Sequence, residues 1–398
     1  MPIAELFGQQ EAVKKLDGEL LSGTLSHAYM IWGPAGSDRW RLAMALALAA
    51  NCTGREGADA SREGLWYCGE CSNCTKLLAG VHPDFAVVRP DGKVIKIDQI
   101  REMQSRIALR PGEARLKTWV IDDAHTMNEE SQNCLLKVLE EPPGHALIML
   151  LLDEPGALLP TISSRCHSIR LGSVDRESLV EWGRRELGMS AERAAVLAAV
   201  SSGLRGKMER LARDADYFKV RNAIISRARS VMWCGDGGLA LTTSEKLLDM
   251  LKRSSGGARG AARAGIADEA SGDAIDGAAA EGAADGAAGA LDGDIAGWQS
   301  GEDDDASETA AISTPEGACE VLAVYMRDVL AKSLGGGPDV LINIDLADEI
   351  SADAERGRPE QFRRWAEKCM STAEALAANA NARLALDDLM LDLALLLT

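Results

Sequence analysis

Aromatic residues are scarce in this chain of 398, at 4%, and nowhere do they alternate with basic residues as a base-stacking groove for single-stranded nucleic acid would need. No run of about eighteen uncharged apolar residues occurs, so no membrane-spanning helix is expected. The stretch Met1 to Gln10 is acidic and polar where an export signal would place a basic patch followed by an apolar run. These absences predict a soluble, cytoplasmic protein. Lysine and arginine are missing altogether between Gly265 and Ala310, which holds thirteen Asp and Glu. Setting those aside leaves 48 acidic against 43 basic residues, so the formal charge of −18 belongs mostly to one segment and the rest is nearly neutral. With no export signal, the nine cysteines argue against a disulfide framework. Cys134, Cys166, Cys234, Cys319 and Cys369 are scattered, as small core residues are.

A chain this long exceeds one compact core, and its patterning changes along its length. Over residues 1–172, apolar runs that read as strands (Ala28 to Trp32, Phe85 to Val88, Trp119 to Ile121, Ala146 to Leu152) alternate with helical spacing at Ile97 to Leu109 and Asn128 to Leu139. That is the signature of an α/β domain with a parallel sheet. Residues 173–253 keep only helical periodicity, through Leu179, Trp182, Leu187, Val196, Leu197 and Val200. Residues 254–313 are nearly all Gly, Ala, Asp, Glu and Ser and cannot bury enough apolar area to offset chain entropy, so a disordered linker is expected. A helical domain follows over 314–398, and its tail from Glu374 to Leu397 is apolar on most sides, as in a helix of an oligomeric bundle or one buried in its own core.

The first strand runs into Gly33-Pro34-Ala35-Gly36-Ser37-Asp38-Arg39-Trp40 and then a helix. A working phosphate loop ends in Gly, Lys and Ser or Thr, and here Asp38, Arg39 and Trp40 take those places. Asp38 sets a carboxylate where a polyphosphate would lie; like charges about 4 Å apart repel by roughly 1–4 kcal/mol near a surface. Arg39 keeps the charge but not the compact ammonium of lysine. Trp40 has no oxygen for magnesium. Gly33, Gly36 and Arg39 are thus the remains of a cofactor site, unless the segment is an ordinary strand-turn-helix connection. Asp122 and Asp123 end an apolar strand, as magnesium-holding carboxylates do in such ATPases and as ordinary helix caps also do.

Three further thiols, Cys68, Cys71 and Cys74, occupy seven residues, with Cys52 fifteen intervening residues upstream. Four thiolates satisfy tetrahedral zinc and leave no open position, which marks a structural site. An iron–sulfur cluster would want its fourth cysteine at position 78, which is Leu78; chance thiols are the other alternative.

Phe7-Gly8-Gln9, Ser26-His27-Ala28-Tyr29, His82-Pro83-Asp84, Ile97 to Arg101, Leu135 to Pro143 with its Glu140-Glu141-Pro142-Pro143 run, and Leu158 to Cys166 with its Ser164-Arg165-Cys166 triplet resemble the bacterial clamp-loader ATPases of the AAA+ superfamily. Asn379 to Leu393 weakly resembles that family's C-terminal collar helix. The resemblance implies a parallel-sheet AAA+ domain carrying a zinc module at residues 52–74, a helical lid and a helical collar. It assigns Arg165 as an arginine finger offered in trans to a neighbour's γ-phosphate, a role worth about 10³–10⁵ in rate. Leu152-Asp153 stands where active relatives carry a polar sensor, and Lys207 or Arg205 stands in place of the second-sensor arginine. The implied function is a largely non-hydrolysing stator of the DNA polymerase III clamp loader, with ATP or ADP bound weakly at best and zinc structural. Its partners would be the gamma/tau and delta subunits and, through the complex, the sliding clamp and primed DNA. The alternatives are an ATP-hydrolysing motor subunit, which Asp38, Arg39 and Trp40 oppose, and a zinc-dependent nucleic-acid-binding module, against which stand cysteines flanked by few basic residues and no aromatic stacking series.

Overall fold

A computed structural model describes residues 6, 8–55, 64–214, 216–267 (backbone only from 254) and 311–395. They form two compact units: one holds the residues up to Ser178 together with Gly203–Lys207, the other Leu179–Ser202 and the helical residues from Met208 onward.

In the first unit β1 (Ala28–Trp32), β2 (Phe85–Val88), β3 (Lys117–Ile121), β4 (Ala146–Leu152) and β5 (His167–Arg170) make one parallel sheet in the order β2-β3-β4-β1-β5. Parallel strands covered on both faces read as unbroken apolar runs, and all seven residues of β4 are buried. Because successive side chains point to opposite faces, Tyr29, Ile31, Leu147, Met149 and Leu151 enter one core with the helix Arg39–Asn51. Ala28, Met30, Ile148, Leu150 and Leu152 enter a second with Ile100, Met103 and Leu135. The helices of this unit are α1 (Gln10–Leu21), α2 (Arg39–Asn51), α3 (Ser72–Leu78), α4 (Ile97–Ile107), α5 (Glu129–Glu140) and the short α6 (Pro160–Ser163). This is an α/β domain built on a parallel sheet, as the apolar patterning predicts. Four strands fall where the apolar runs placed them. The fifth escaped because His167–Arg170 buries only Ile169, and its pairing with β1 alone defines it.

The sheet places the site. Strands β1, β3 and β4 are neighbours, so the segments leaving their C-terminal ends, Gly33 onward, Asp122-Asp123 and Asp153, gather on one edge, where open α/β sheets bind ligands.

Beyond α7 (Arg176–Glu186) come α8 (Ala191–Val200), α9 (Arg205–Arg213), α10 (Tyr217–Met232), α11 (Gly237–Ala267), α12 (Pro315–Ser333), α13 (Ala347–Arg356), α14 (Pro359–Ala377) and α15 (Ala382–Leu395). The helical stretches that patterning separates at 253 and 314 pack within one unit: α12 lies along α14 and α11 along α15. Arg221 on α10 pairs with Asp345 at 2.8 Å, and Arg229 with the buried Asp353 at 2.7 Å. Two boundaries differ from the sequence reading. The helix α11 continues through 254–267 into the segment expected to be disordered, whose residues 268–310 lie outside the described ones. The tail is broken at Ala378–Asn381, where Asn379 takes φ +67°, a left-handed conformation its short polar side chain tolerates. The final helix buries Leu386, Leu389, Met390 and Leu393 and exposes Leu384 and Leu395, as a core-packed helix would. Among the described residues no helix is long and apolar enough to cross a membrane.

Candidate functional site

The loop after β1 is held by its own backbone. Gly33 N–H donates to Leu152 O at 3.2 Å, and a Cβ at Gly33 would lie 2.5 Å from Leu171 O and 2.7 Å from Ser37 Oγ, so only glycine fits. Gly36 follows at φ +84° and Asp38 at φ +63°.

Its charges are turned inward onto one another. Arg205 Nε donates to Asp38 Oδ2 at 2.8 Å and Arg205 Nη2 to Asp38 Oδ1 at 3.1 Å, with both side chains at most 5% exposed. Two-pronged guanidinium–carboxylate pairs are among the stronger charge-assisted hydrogen bonds. Arg39 Nη1 donates to Asp153 Oδ1 at 2.6 Å, which ties the start of α2 to the residue just past β4. Gly206 N–H donates to Gly36 O at 3.1 Å, bringing the first turn of α9 against the loop. Of the two second-sensor candidates, Arg205 is the one whose guanidinium reaches the loop; Lys207 lies two residues further along α9. Trp40 is buried in the core on the α2 side of the sheet, with the Arg89 guanidinium 5.3 Å from its ring centroid.

Asp122 is buried and lies 3.5 Å from Arg89 Nε. Asp123 takes φ +49° at the start of a short turn but makes no capping hydrogen bond there, so the cap alternative for it fails. Burial raises its pKa and the neighbouring Asp122 charge adds to that.

Arg165 follows α6 at the other end of the sheet. Its Nη1 donates to Thr161 O at 2.9 Å and its Nη2 lies 2.7 Å from Glu140 Oε1, the last residue of α5. A carboxylate in the last turn of a helix opposes the helix dipole, and Arg165 offsets it. The residue remains exposed.

The four early thiols come together. Cys52, Cys68, Cys71 and Cys74 place their sulfurs within 4.8 Å of one another, with Cys68 and Cys74 3.9 Å apart. Four sulfurs about 2.3 Å from a tetrahedral zinc stand about 3.8 Å apart, so the donor set fits that ion. Cys68 N–H points at Cys52 Sγ (3.3 Å), Cys71 N–H at Cys68 Sγ (3.2 Å) and Cys74 N–H at Cys71 Sγ (3.4 Å), stabilising negative charge on sulfur. Burial pushes up the thiols of Cys52 and Cys74; it acts likewise on Cys71, where the Cys74 N–H and Thr53 outweigh it and bring the pKa down to about 6. The knuckle is tied to the sheet: Asn73 Nδ2 donates to Asn51 O at 2.8 Å, and His82 Nε2 meets Asn73 Oδ1 at 3.2 Å. Next to it, the buried Asp84 accepts the N–H groups of Gly112, Glu113 and Ala114 at 3.0, 2.8 and 3.0 Å. The motif His82-Pro83-Asp84 therefore fastens two loops.

Sequence reading missed three partners, Asp153 for Arg39, Asp38 for Arg205 and Glu140 for Arg165. Opposite charge was the only signal available, and it does not identify a partner that lies 25, 114 or 167 residues away.

Comparison with known proteins supplies an independent line. Residues 8–175 match the family described as DNA polymerase III, delta subunit. The chain is 35% identical over 181 residues to the Pseudomonas aeruginosa DNA polymerase III subunit delta', a match covering 45% of this chain and 53% of that one. It is 31% identical over 217 residues to the Bacillus subtilis subunit delta', covering 54% and 63%. With the Mycobacterium tuberculosis subunit gamma/tau it shares 33% over 165 residues, covering 41% and 27%. The chain thus spans a little over half the length of the delta' relatives.

Proposed function

We propose, from the match of residues 8–175 to the family described as DNA polymerase III, delta subunit, that the chain is the delta' subunit of a clamp loader. It acts as a stator that does not hydrolyse ATP and lends Arg165 to the ATP site of a neighbouring subunit while the sliding clamp is loaded onto primed DNA. Its direct partners are the loader's gamma/tau and delta subunits; Cys52, Cys68, Cys71 and Cys74 hold a structural zinc.

The observation that carries this reading is the position of Arg165 relative to the chain's own loop. Tyr29 pairs with His167, two residues after Arg165, whereas the loop starts at Gly33, past the opposite end of β1. Four residues at about 3.3 Å each set the two levels roughly 13 Å apart along the strands. An exposed arginine at the far end of the sheet does not serve its own phosphate site, and it is well placed to serve one presented by another subunit. The loop agrees: Asp38, Arg39 and Trp40 are committed to Arg205, Asp153 and the core.

The test is reconstitution with the gamma/tau and delta subunits followed by an ATPase assay. Arg165→Ala is expected to leave this chain folded and assembled while depressing hydrolysis by the complex; unchanged hydrolysis removes Arg165 from the mechanism. The chain alone is expected to show negligible turnover, and robust turnover abolished by Asp122→Asn would make it a motor subunit instead.

A further inference from the structure

Asp38 stands at the entry of α2 with positive φ, in backbone that favours glycine, and glycine is what a working phosphate loop places there. Its two oxygens face the flat edge of the Arg205 guanidinium at 2.8 and 3.1 Å, out of solvent. That planar fork matches carboxylate and phosphate oxygens alike. Around the pair, Gly206 N–H reaches Gly36 O at 3.1 Å, and a Cβ on Gly206 would come just as close to that oxygen, a tight contact that would push the two backbones apart by a few tenths of an ångström. On the inner side of the loop Ser37 Oγ, in a residue 2% exposed, has no hydrogen-bond partner among the described residues. A buried hydroxyl left in that state is costly.

We propose that Asp38 is an internal anion: its carboxylate takes the place of a bound phosphate and fastens the Gly203–Lys207 turn to the loop with no ligand present. The substitution that spoils the loop for ATP is then also what makes the closure permanent. An active loop must wait for a polyphosphate to engage its arginine, whereas here the anion is part of the chain. Removing that carboxylate leaves a buried guanidinium beside a phosphate-shaped loop, and the site becomes one for inorganic phosphate or pyrophosphate. This deepens the reading of residues 33–40 as a phosphate loop out of use and rests on it.

The experiment uses the full chain with Asp38→Gly. Glycine relieves the positive φ, so a carboxylate with no partner to hold would leave Tm unchanged or higher. The internal-anion account expects Tm to fall by about 4 °C or more. It also expects millimolar phosphate or pyrophosphate to restore it, while sodium chloride of equal ionic strength does not and the parent chain responds to neither. Arg205→Met should fall as well but show no anion rescue, because the guanidinium that would receive the anion is gone. Should Asp38→Gly not fold, Asp38→Asn keeps the shape and the backbone tolerance; calorimetric titration with pyrophosphate is expected to show binding at least tenfold tighter than in the parent. An Asp38→Gly chain as stable as the parent, a loss that phosphate does not reverse, or equal pyrophosphate binding by Asp38→Asn and parent overturns the proposal. None of these bears on Arg165, whose role is read separately by hydrolysis in the assembled complex.

Discussion

Placing a hydroxyl at position 40, where a working phosphate loop carries one, by Trp40→Thr, is predicted to cost about 5 kcal/mol of stability. Trp40 is 6% exposed and packs in the core on the α2 side of the sheet. A buried tryptophan hides on the order of 200 Å², which at about 25 cal/mol per Å² is roughly 5 kcal/mol of transfer free energy. Threonine recovers only about 1 kcal/mol of this through the carbons it keeps, and the cavity left behind adds a further penalty. The Arg89 guanidinium 5.3 Å from the ring centroid contributes about 0.5–1 kcal/mol at a partly exposed site. The sum agrees with the roughly 3–5 kcal/mol typical of truncating a core aromatic. Arg89 is also the residue 3.5 Å from the buried Asp122, so the loss of the ring loosens that contact too. The assay is urea unfolding followed by far-UV circular dichroism, with Trp40→Phe as the control that keeps an aromatic ring and loses clearly less. A loss under about 1 kcal/mol, the size of an ordinary substitution, or a Trp40→Phe loss as large as that of Trp40→Thr, would refute the reasoning. If the prediction holds, a hydroxyl cannot be placed at position 40 by one substitution without unsettling the core, because Trp40 is part of it.

Two other predictions follow from the same unit. Elemental analysis is expected to find about one zinc per chain, falling sharply in Cys71→Ser; since zinc binds thiolates, the metal should leave as pH falls, and metal content indifferent to Cys71 would end the assignment. Burial raises the pKa of Asp84, but the N–H groups of Ala114, Glu113 and Gly112 and the charge of Lys117 outweigh it and hold the carboxyl below its ordinary value. Its stabilisation is therefore complete above an unfolded pKa of about 3.9 and is lost as pH falls through the lower folded value. Asp84→Asn should flatten the acid side of the Tm–pH curve below about pH 5; an unaltered acid limb would show that the three N–H bonds do not depend on the charge.

The parts of the fold legible in the sequence are those set by local pattern. Strands covered on both faces, such as Ala146–Leu152, announce themselves as apolar runs, and Cys68, Cys71 and Cys74 share one short turn whose spacing is itself the geometry. What pattern does not carry is partnership over distance. His167–Arg170 is a strand because β1 has a free edge beside it, not because of its own residues. Asp38 looked like damage when read against phosphate alone; its meaning changes once Arg205, on another helix, is seen to hold it. The break at Asn379 was hidden because Ala and Leu continue on both sides of it.

The helix Arg39–Asn51 runs from the loop to the thiol knuckle. Thirteen residues, buried nearly all round, make a strut about 20 Å long at 1.5 Å per residue. One end carries the loop with its enclosed ion pair. The other ends at Asn51, whose carbonyl receives Asn73 and whose side chain receives Leu116 N–H, one residue before the first sulfur ligand. The thiol knuckle and the loop are thus fastened to opposite ends of one buried helix, and each end has its own side-chain hydrogen bonds or ion pairs to the rest of the unit.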